Sequence, residues 1–257
     1  MSLDLPALIR RAKLRLLQMH YEAKVGHIGG NLSCLDALMA LHHAVLGPDD
    51  LFVLSKGHAA GALYVTLWSK GDLSDEQLKL FHKDGARLSG HPSAAWHPGI
   101  RFATGSLGHG LGLAAGTALA RKLLGRKGRV YCLMTDGEWQ EGSVWESLIF
   151  IAHHHLDNLC VLIDGNGLQG FGSTEEVASM GDLASRIRPF GVEVLALDGH
   201  DPEALVRVLD GPSSGPRFLL LKTVKGHGVS FMEGRMEWHY LPLDEALYLA
   251  ARKELGA

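Results

Sequence analysis

Three consecutive stretches decide the fold: RVYCLMT (Arg129–Thr135), the segment from Gly142 to Leu156, and NLCVLI (Asn158–Ile163). The first and third are short apolar runs bounded by turn residues and read as buried strands, while the second carries apolar residues at helical spacing. Strand, helix and strand in that order make a βαβ unit, whose crossover is right-handed and whose strands are parallel. Their C-terminal ends lie at one edge of the sheet, where open α/β sheets bind ligands. The residues leaving those ends are Asp136-Gly137 and Asp164-Gly165-Asn166. A carboxylate and an amide oxygen converge there, and hard oxygens in that arrangement suit Mg2+ or Ca2+, with phosphates and water completing the shell. Gly137 lets a phosphate come close to the backbone. Asp-Gly pairs are also common turn residues, so a plain turn at each strand end stays open on these residues alone.

Working outward, the alternation continues. Helices are predicted over Leu5–Ala23, Leu32–Leu46, Ala59–Trp68, Asp75–Lys83, Gly110–Leu124, Leu183–Pro189, Pro202–Leu209 and Glu245–Leu255, and further strands over Phe52–Leu54, Val192–Leu197 and Arg217–Thr223. This pattern gives an α/β fold with a mostly parallel central sheet and helices on both faces. With no internal repeat and no long linker, residues 1–257 read as a single domain.

Composition narrows the function. The net charge of −3 comes without a basic block, which argues against nucleic acid as a partner. The longest uncharged run, Phe102–Ala120, holds five glycines among its residues and is too polar for lipid, so no membrane span is expected. Cys34, Cys132 and Cys160 form no CxxC and leave an odd count, which fits a reducing, cytoplasmic setting. Glycine contributes 32 of 257 residues, well above the ~7% average, which points to many close backbone approaches.

The run TDGEWQEG (Thr135–Gly142), with Asn166 thirty positions after Asp136, resembles the thiamine diphosphate motif, in which G-D-G is followed by an asparagine that completes a metal site. GHIGG (Gly26–Gly30), LSKGHA (Leu54–Ala59), GHP (Gly90–Pro92), TGSLG (Thr104–Gly108) and KGHGVSFME (Lys225–Glu233) then occur in the order found in transketolases, so the chain resembles that family from about residue 10 to 240. The resemblance implies a thiamin diphosphate-binding fold, with thiamine diphosphate and Mg2+, Ca2+ or Mn2+ as cofactors. It implies Asp136, Asn166 and the main-chain carbonyl of Leu168 as metal ligands, and His58, Gly105, Leu107, Gly137, Glu138, Asn166 and His239 as cofactor contacts. It implies His27, His58, His91 and His239 as a catalytic cluster around the reactive carbon, where neutral imidazoles relay protons near pH 7.

Full transketolases continue through a pyrimidine-binding and a C-terminal domain, and the family's activating glutamate comes from the former. The resemblance therefore implies one subunit of a split enzyme, joined in an α2β2 assembly by a pyrimidine-domain partner supplying that glutamate, and acting on sugar or other small ketose and aldehyde substrates. The rivals are a component of another thiamine-dependent lyase or synthase, deoxyxylulose-phosphate-synthase-like or acyloin-forming, and a noncatalytic cofactor-binding scaffold. Departures from the family pattern fall at Val25, Ile28, His109, Thr135, Gly165 and Tyr240; His109 and Tyr240 are expected to bear on the cofactor pocket or channel. Gly108, Gly112 and Gly116 line one stripe of a helix and permit close packing either between subunits, which the resemblance favours, or within the domain; Glu141 and Glu146 are expected near the subunit interface by resemblance. His153-His154-His155 is read as an ordinary helix end, because successive helical positions point ~100° apart. GLGLAA (Gly110–Ala115) lacks the preceding strand and following acid of a dinucleotide site and is not read as one.

Overall fold

The computed structural model describes residues 4–94 and 96–257. In chain order its helices and strands are α1 (Leu5–Ala23), α2 (Ile28–Ala40), β1 (Leu51–Leu54), α3 (Ala60–Lys70), α4 (Asp75–Leu78), α5 (His109–Leu123), β2 (Val130–Thr135) and α6 (Gly142–His153). There follow β3 (Leu159–Gly165), α7 (Thr174–Ala178), α8 (Leu183–Ile187), β4 (Glu193–Asp198), α9 (Pro202–Asp210), β5 (Arg217–Lys222) and α10 (Glu245–Glu254). Among the described residues five strands form one sheet, all parallel, in the order β1-β2-β3-β5-β4.

Alternate residues of each central strand enter opposite cores, as a sheet buried on both faces requires. Tyr131, Leu133, Cys160, Leu162, Leu219 and Leu221 face α1, α2, α3, α9 and α10. Val130, Cys132, Met134, Val161, Ile163 and Phe218 face α5, α6 and α8. Full burial of each such large apolar side chain contributes about 1.5–3 kcal/mol relative to exposure.

The helices depart from the sequence expectation where packing overrides propensity. Helix α2 begins at Ile28 rather than Leu32 and takes Gly29 and Gly30 into its first turn, with every one of its residues buried. A Cβ on Gly29 would stand 3.1 Å from the Lys225 and Trp238 side chains, so the close approach of the 225–239 segment explains that glycine. The helix then widens into a π-helical turn at Leu41–Val45. The segment expected as a helix over Asp75–Lys83 keeps helical form only to Leu78, after a Ser74 capping box, and continues in turns. Helix α6 ends at His153, with His155 left-handed at φ 45°, so the histidine triplet closes a helix. Among the described residues no helix is long and apolar enough to cross a membrane.

Candidate functional site

The register of the sheet sets the site. Thr135 on β2 pairs with Asp164 on β3, so Asp136 and Asn166 leave the sheet just beyond the last pair, beside each other. Thr223 and Lys225 leave β5 on the far side of β3, and Ser55, Lys56 and His58 follow β1. Four strand ends thus feed one cleft of about 200 Å³. It is lined by His27, His58, His91, His239, Gly105, Leu107, Gly137, Asn166 and Leu168 of the expected residues.

The four imidazoles form one cluster. His27 lies 5.7 Å from His58, 5.7 Å from His91 and 5.0 Å from His239 between ring centroids, and His58 lies 5.3 Å from His239. His27 caps α2 from the left-handed region at φ 67°, where its N–H donates to the His239 carbonyl at 2.9 Å and its own carbonyl accepts from the Asn31 side chain at 2.8 Å. The same Asn31 amide donates to the His58 carbonyl at 3.0 Å, which ties two cluster members to one helix. Burial, then neighbouring positive groups, push His27 down to about 4 and His239 down to about 3, and hold His58 well below its ordinary value. All three are neutral at pH 7 and able to exchange protons.

Below the cluster lie the oxygen donors. Asp136 Oδ1 accepts from the Gly137 N–H at 2.8 Å and the Thr135 hydroxyl at 2.9 Å, and Oδ2 accepts from the Gly167 N–H at 2.8 Å. These bonds turn the carboxylate toward the two glycine amides, and it sits beneath the cleft surface rather than on it. Burial first, then the nearby Asp164 carboxylate, push Asp136 above the usual carboxylate range. Asn166 is oriented by chemistry: its amide nitrogen donates to Asp164 at 3.1 Å, a partner able only to accept, so Oδ1 turns toward the Leu168 N–H at 3.0 Å.

These residues fit a divalent cation and a diphosphate. Asp136 Oδ2 and Asn166 Oδ1 each accept one of the bonds described and keep capacity for a further partner, and an adjacent cation favours the charged form of a buried carboxylate. A Cβ on Gly137 would meet only Gln169, at an ordinary 3.7 Å, so packing does not demand glycine there; the open cleft in front of it does. Lys225, pushed down to about 8 by burial and then by the Lys56 charge, places its ammonium 3.2 Å from His239 Nδ1 and supplies a cation for an anionic group.

One expected contact is placed elsewhere. Glu138 is wholly buried and does not line the cleft; its carboxylate accepts from the Thr135 N–H at 2.9 Å, the Gly108 N–H at 3.0 Å and the Ser55 hydroxyl. It is a bracket joining the ends of β1 and β2 to the loop before α5, and its oxygens are spent on that task. His109 also lies outside the cleft, at the exposed start of α5, whereas Tyr240 lines it.

Reading the sequence missed Lys56, Lys225, Gly30 and Gln169. Lys56 is fully buried against Asp164, which also accepts from Ser33 at 2.6 Å and from Thr223. Both lysines stood inside motifs already singled out, LSKGHA and KGHGVSFME, and a lysine beside glycine in an apolar setting was the available cue. Among the described residues one trio of metal-type side chains converges elsewhere: Asp36, His200 and His227. Lys13 lies 3.0 Å from Asp36 Oδ1, and the Val224 N–H donates to His200 Nε2 at 2.9 Å, which leaves the His200 proton on Nδ1, facing Asp36 at 2.8 Å. An ammonium and an imidazole N–H already satisfy that carboxylate, so the trio is a hydrogen-bonded strut between α1, α2 and the 198–227 loops.

The chain matches, over residues 10–257, the family described as "Transketolase, thiamine diphosphate binding domain". It is 42% identical over 252 residues to an apulose-4-phosphate transketolase subunit of Phocaeicola vulgatus, covering 93% of this chain and 89% of that one. It is 36% identical to the 6-deoxy-6-sulfo-D-fructose transketolase subunit SqwG of Clostridium sp., covering 90% and 88%. Among solved structures it superposes on transketolase from Campylobacter jejuni with a TM-score of 0.87 at 32% identity, and on that from Leishmania mexicana with a TM-score of 0.92 at 25% identity. The likeness spans all of this chain but only 43% and 42% of those two. The parallel sheet is that of the α/β thiamine diphosphate-binding fold, and the chain belongs to the transketolase family.

Proposed function

We propose that this chain is the diphosphate-binding subunit of a split transketolase, moving a two-carbon ketol unit from a ketose to an aldehyde together with a second polypeptide. The observation that carries this reading is the convergence of Asp136, Asn166 and Lys225 beneath four clustered imidazoles at one sheet edge. The likeness to transketolase subunits supports the same reading, since the alignment covers nearly nine-tenths of each of three relatives so named. Thiamine diphosphate supplies, when bound, the electron sink for breaking and remaking the carbon-carbon bond beside a carbonyl.

The chain's own residues do the rest. Asp136, Asn166 and the Leu168 carbonyl would hold Mg2+, Ca2+ or Mn2+, with Gly137 and Lys225 receiving the diphosphate. His27, His58, His91 and His239, neutral in the cleft, bind substrate hydroxyls and take or return protons there. The activating glutamate is assigned to a pyrimidine-domain partner in an α2β2 assembly within the cytoplasm, and the exposed Gly112, Gly116, Glu141 and Glu146 to the faces joining subunits, whereas Gly108 is buried within the chain against Glu141 and Ser143. Residues 1–257 act as one cofactor-binding domain.

Two measurements test this. Calorimetry should show metal-dependent thiamine diphosphate binding that Asp136→Ala abolishes, and co-expression with the polypeptide of the neighbouring reading frame should give ketol transfer. Undiminished metal-dependent binding by Asp136→Ala removes the metal assignment; a co-purifying complex inert toward every ketose and aldehyde pair removes the catalytic one.

A further inference from the structure

The histidine cluster has two faces. In front is the cleft; behind lies a second cavity of about 60 Å³, and His27, His58 and His91 line both. The polar lining of the rear cavity is completed by His20, Asn31 and His82. A water molecule needs about 10–15 Å³ of such volume, so this space holds several.

His20, on α1, is the residue the fold leaves unexplained. It is 1% exposed, and neither Nδ1 nor Nε2 makes a hydrogen bond of good geometry among the described residues, although the Val25 and Gly26 backbone lies close enough to favour its charged form. A buried imidazole deprived of partners on both nitrogens is costly, and such groups are ordinarily met by ordered water. The surroundings keep room for it. A Cβ on Gly61 would stand 2.6 Å from His20 Nε2 and 3.1 Å from Asn31 Oδ1, so glycine at 61 leaves that nitrogen clear. At the other end His82 is exposed, held in the left-handed region at φ 59°, and opens the cavity toward solvent.

We propose that His20 and the water it holds form a proton path between solvent at His82 and the rear of the His27–His58–His91 layer. The path serves the cleft when substrate and partner close its front, and it rests on the reading of the chain as part of a transketolase. In one transfer a cleft imidazole gives a proton to cavity water. That water gives one to a nitrogen of His20, and the opposite nitrogen of His20 releases its own toward His82. Each group regains its starting protons on the return, and no electron or heavy-atom bond moves. The titratable groups facing His20 are His27 and His82, with the Phe81 ring 5.3 Å away, and among the described residues no carboxylate lines the cavity. Burial pushes His20 down to about 4 and His27 down to about 4, so both are neutral and pass protons without storing charge.

The test uses the chain in complex with its partner, thiamine diphosphate and Mg2+. A high-resolution crystal structure of the wild-type complex should show water bonded to His20 within the rear cavity; a dry cavity overturns the proposal. His20→Phe, which fills the space, should lower kcat at least fivefold, raise its solvent deuterium isotope effect and alter its pH profile. KM and the calorimetric cofactor affinity should stay within twofold. His20→Gln keeps hydrogen bonding to water but passes no proton, and should match His20→Phe. If His20→Gln keeps wild-type kcat and isotope effect, His20 only orders water and the relay is wrong. A wild-type complex inert toward all ketose donors would strike down the functional reading instead, while the water at His20 would still be judged from its crystal structure.

Discussion

The pair Lys56–Asp164 offers the sharpest quantitative test. Both side chains are fully buried, and Lys56 Nζ also donates to the Gly30 carbonyl at 3.0 Å. Although burial opposes it, the Lys56 charge beside Asp164 holds that carboxyl below its usual value. Removing one member of such a pair leaves an uncompensated buried charge and costs about 3–5 kcal/mol. For a chain of this size each kcal/mol shifts the melting temperature by roughly 2–4 °C, so Lys56→Met should lower it by roughly 6–20 °C. The sign with pH is also fixed. In the wild type the depressed Asp164 value gives stability that is present above about pH 3.8 and lost as pH falls through the native value. In Lys56→Met the unpaired carboxyl is raised by burial instead, so the deficit should shrink as pH falls from 7 toward 5. Urea unfolding of both proteins at several pH values measures this, and Lys56→Met/Asp164→Asn should recover most of the loss. Because Asp164 also orients Asn166 through its amide nitrogen, metal-dependent cofactor affinity should fall about 10–100-fold in Asp164→Leu. A Lys56→Met protein within ~1 kcal/mol of wild type at pH 7, or with a deficit indifferent to pH, refutes the reasoning.

Other outcomes follow from single contacts. Lys225→Met should weaken inorganic pyrophosphate binding by roughly 10-fold or more at pH 7, the loss of one charge-assisted hydrogen bond of about 1.5–3 kcal/mol. Wild-type affinity itself should decline as pH rises past about 8, where Lys225 sheds its proton; equal affinity at pH 7 and 10 would remove Lys225 from the anion site. Gly57→Ala puts a Cβ 2.6 Å from the Thr104 carbonyl oxygen, backbone that cannot step aside, and should cost about 1–3 kcal/mol by denaturant melting while displacing the Gly105–Leu107 edge of the cleft. Glu138→Ala leaves the Gly108 and Thr135 amides without their acceptor, and should make the loop around residues 104–108 newly sensitive to limited proteolysis. Its metal-dependent cofactor affinity should fall less than that of Asp136→Ala, which calorimetry can rank.

The sequence by itself determined the alternation of strands and helices, because period and turn residues are local. Arg129–Ile163 declares a parallel βαβ unit, and the register then puts Asp136 beside Asn166 as the reading of that unit requires. Histidines 27, 58, 91 and 239 were legible only through their motifs, since nothing local says that residues 212 positions apart share a cleft. What tertiary structure alone decided is direction and burial. Glu138 follows Asp136 by two residues, and its expected cofactor contact is instead a turn inward to bracket Ser55, Thr135 and Gly108. Gly29 and Gly30 look like loop in one dimension, yet they lie in the first turn of a helix, and at Gly29 the partners press too close for a side chain. Lys56, Lys225 and His20 gain their meaning from surroundings contributed by distant segments. The desolvation and pairing that set a charged or titratable group's behaviour are sums over neighbours in space, and the chain order does not contain them.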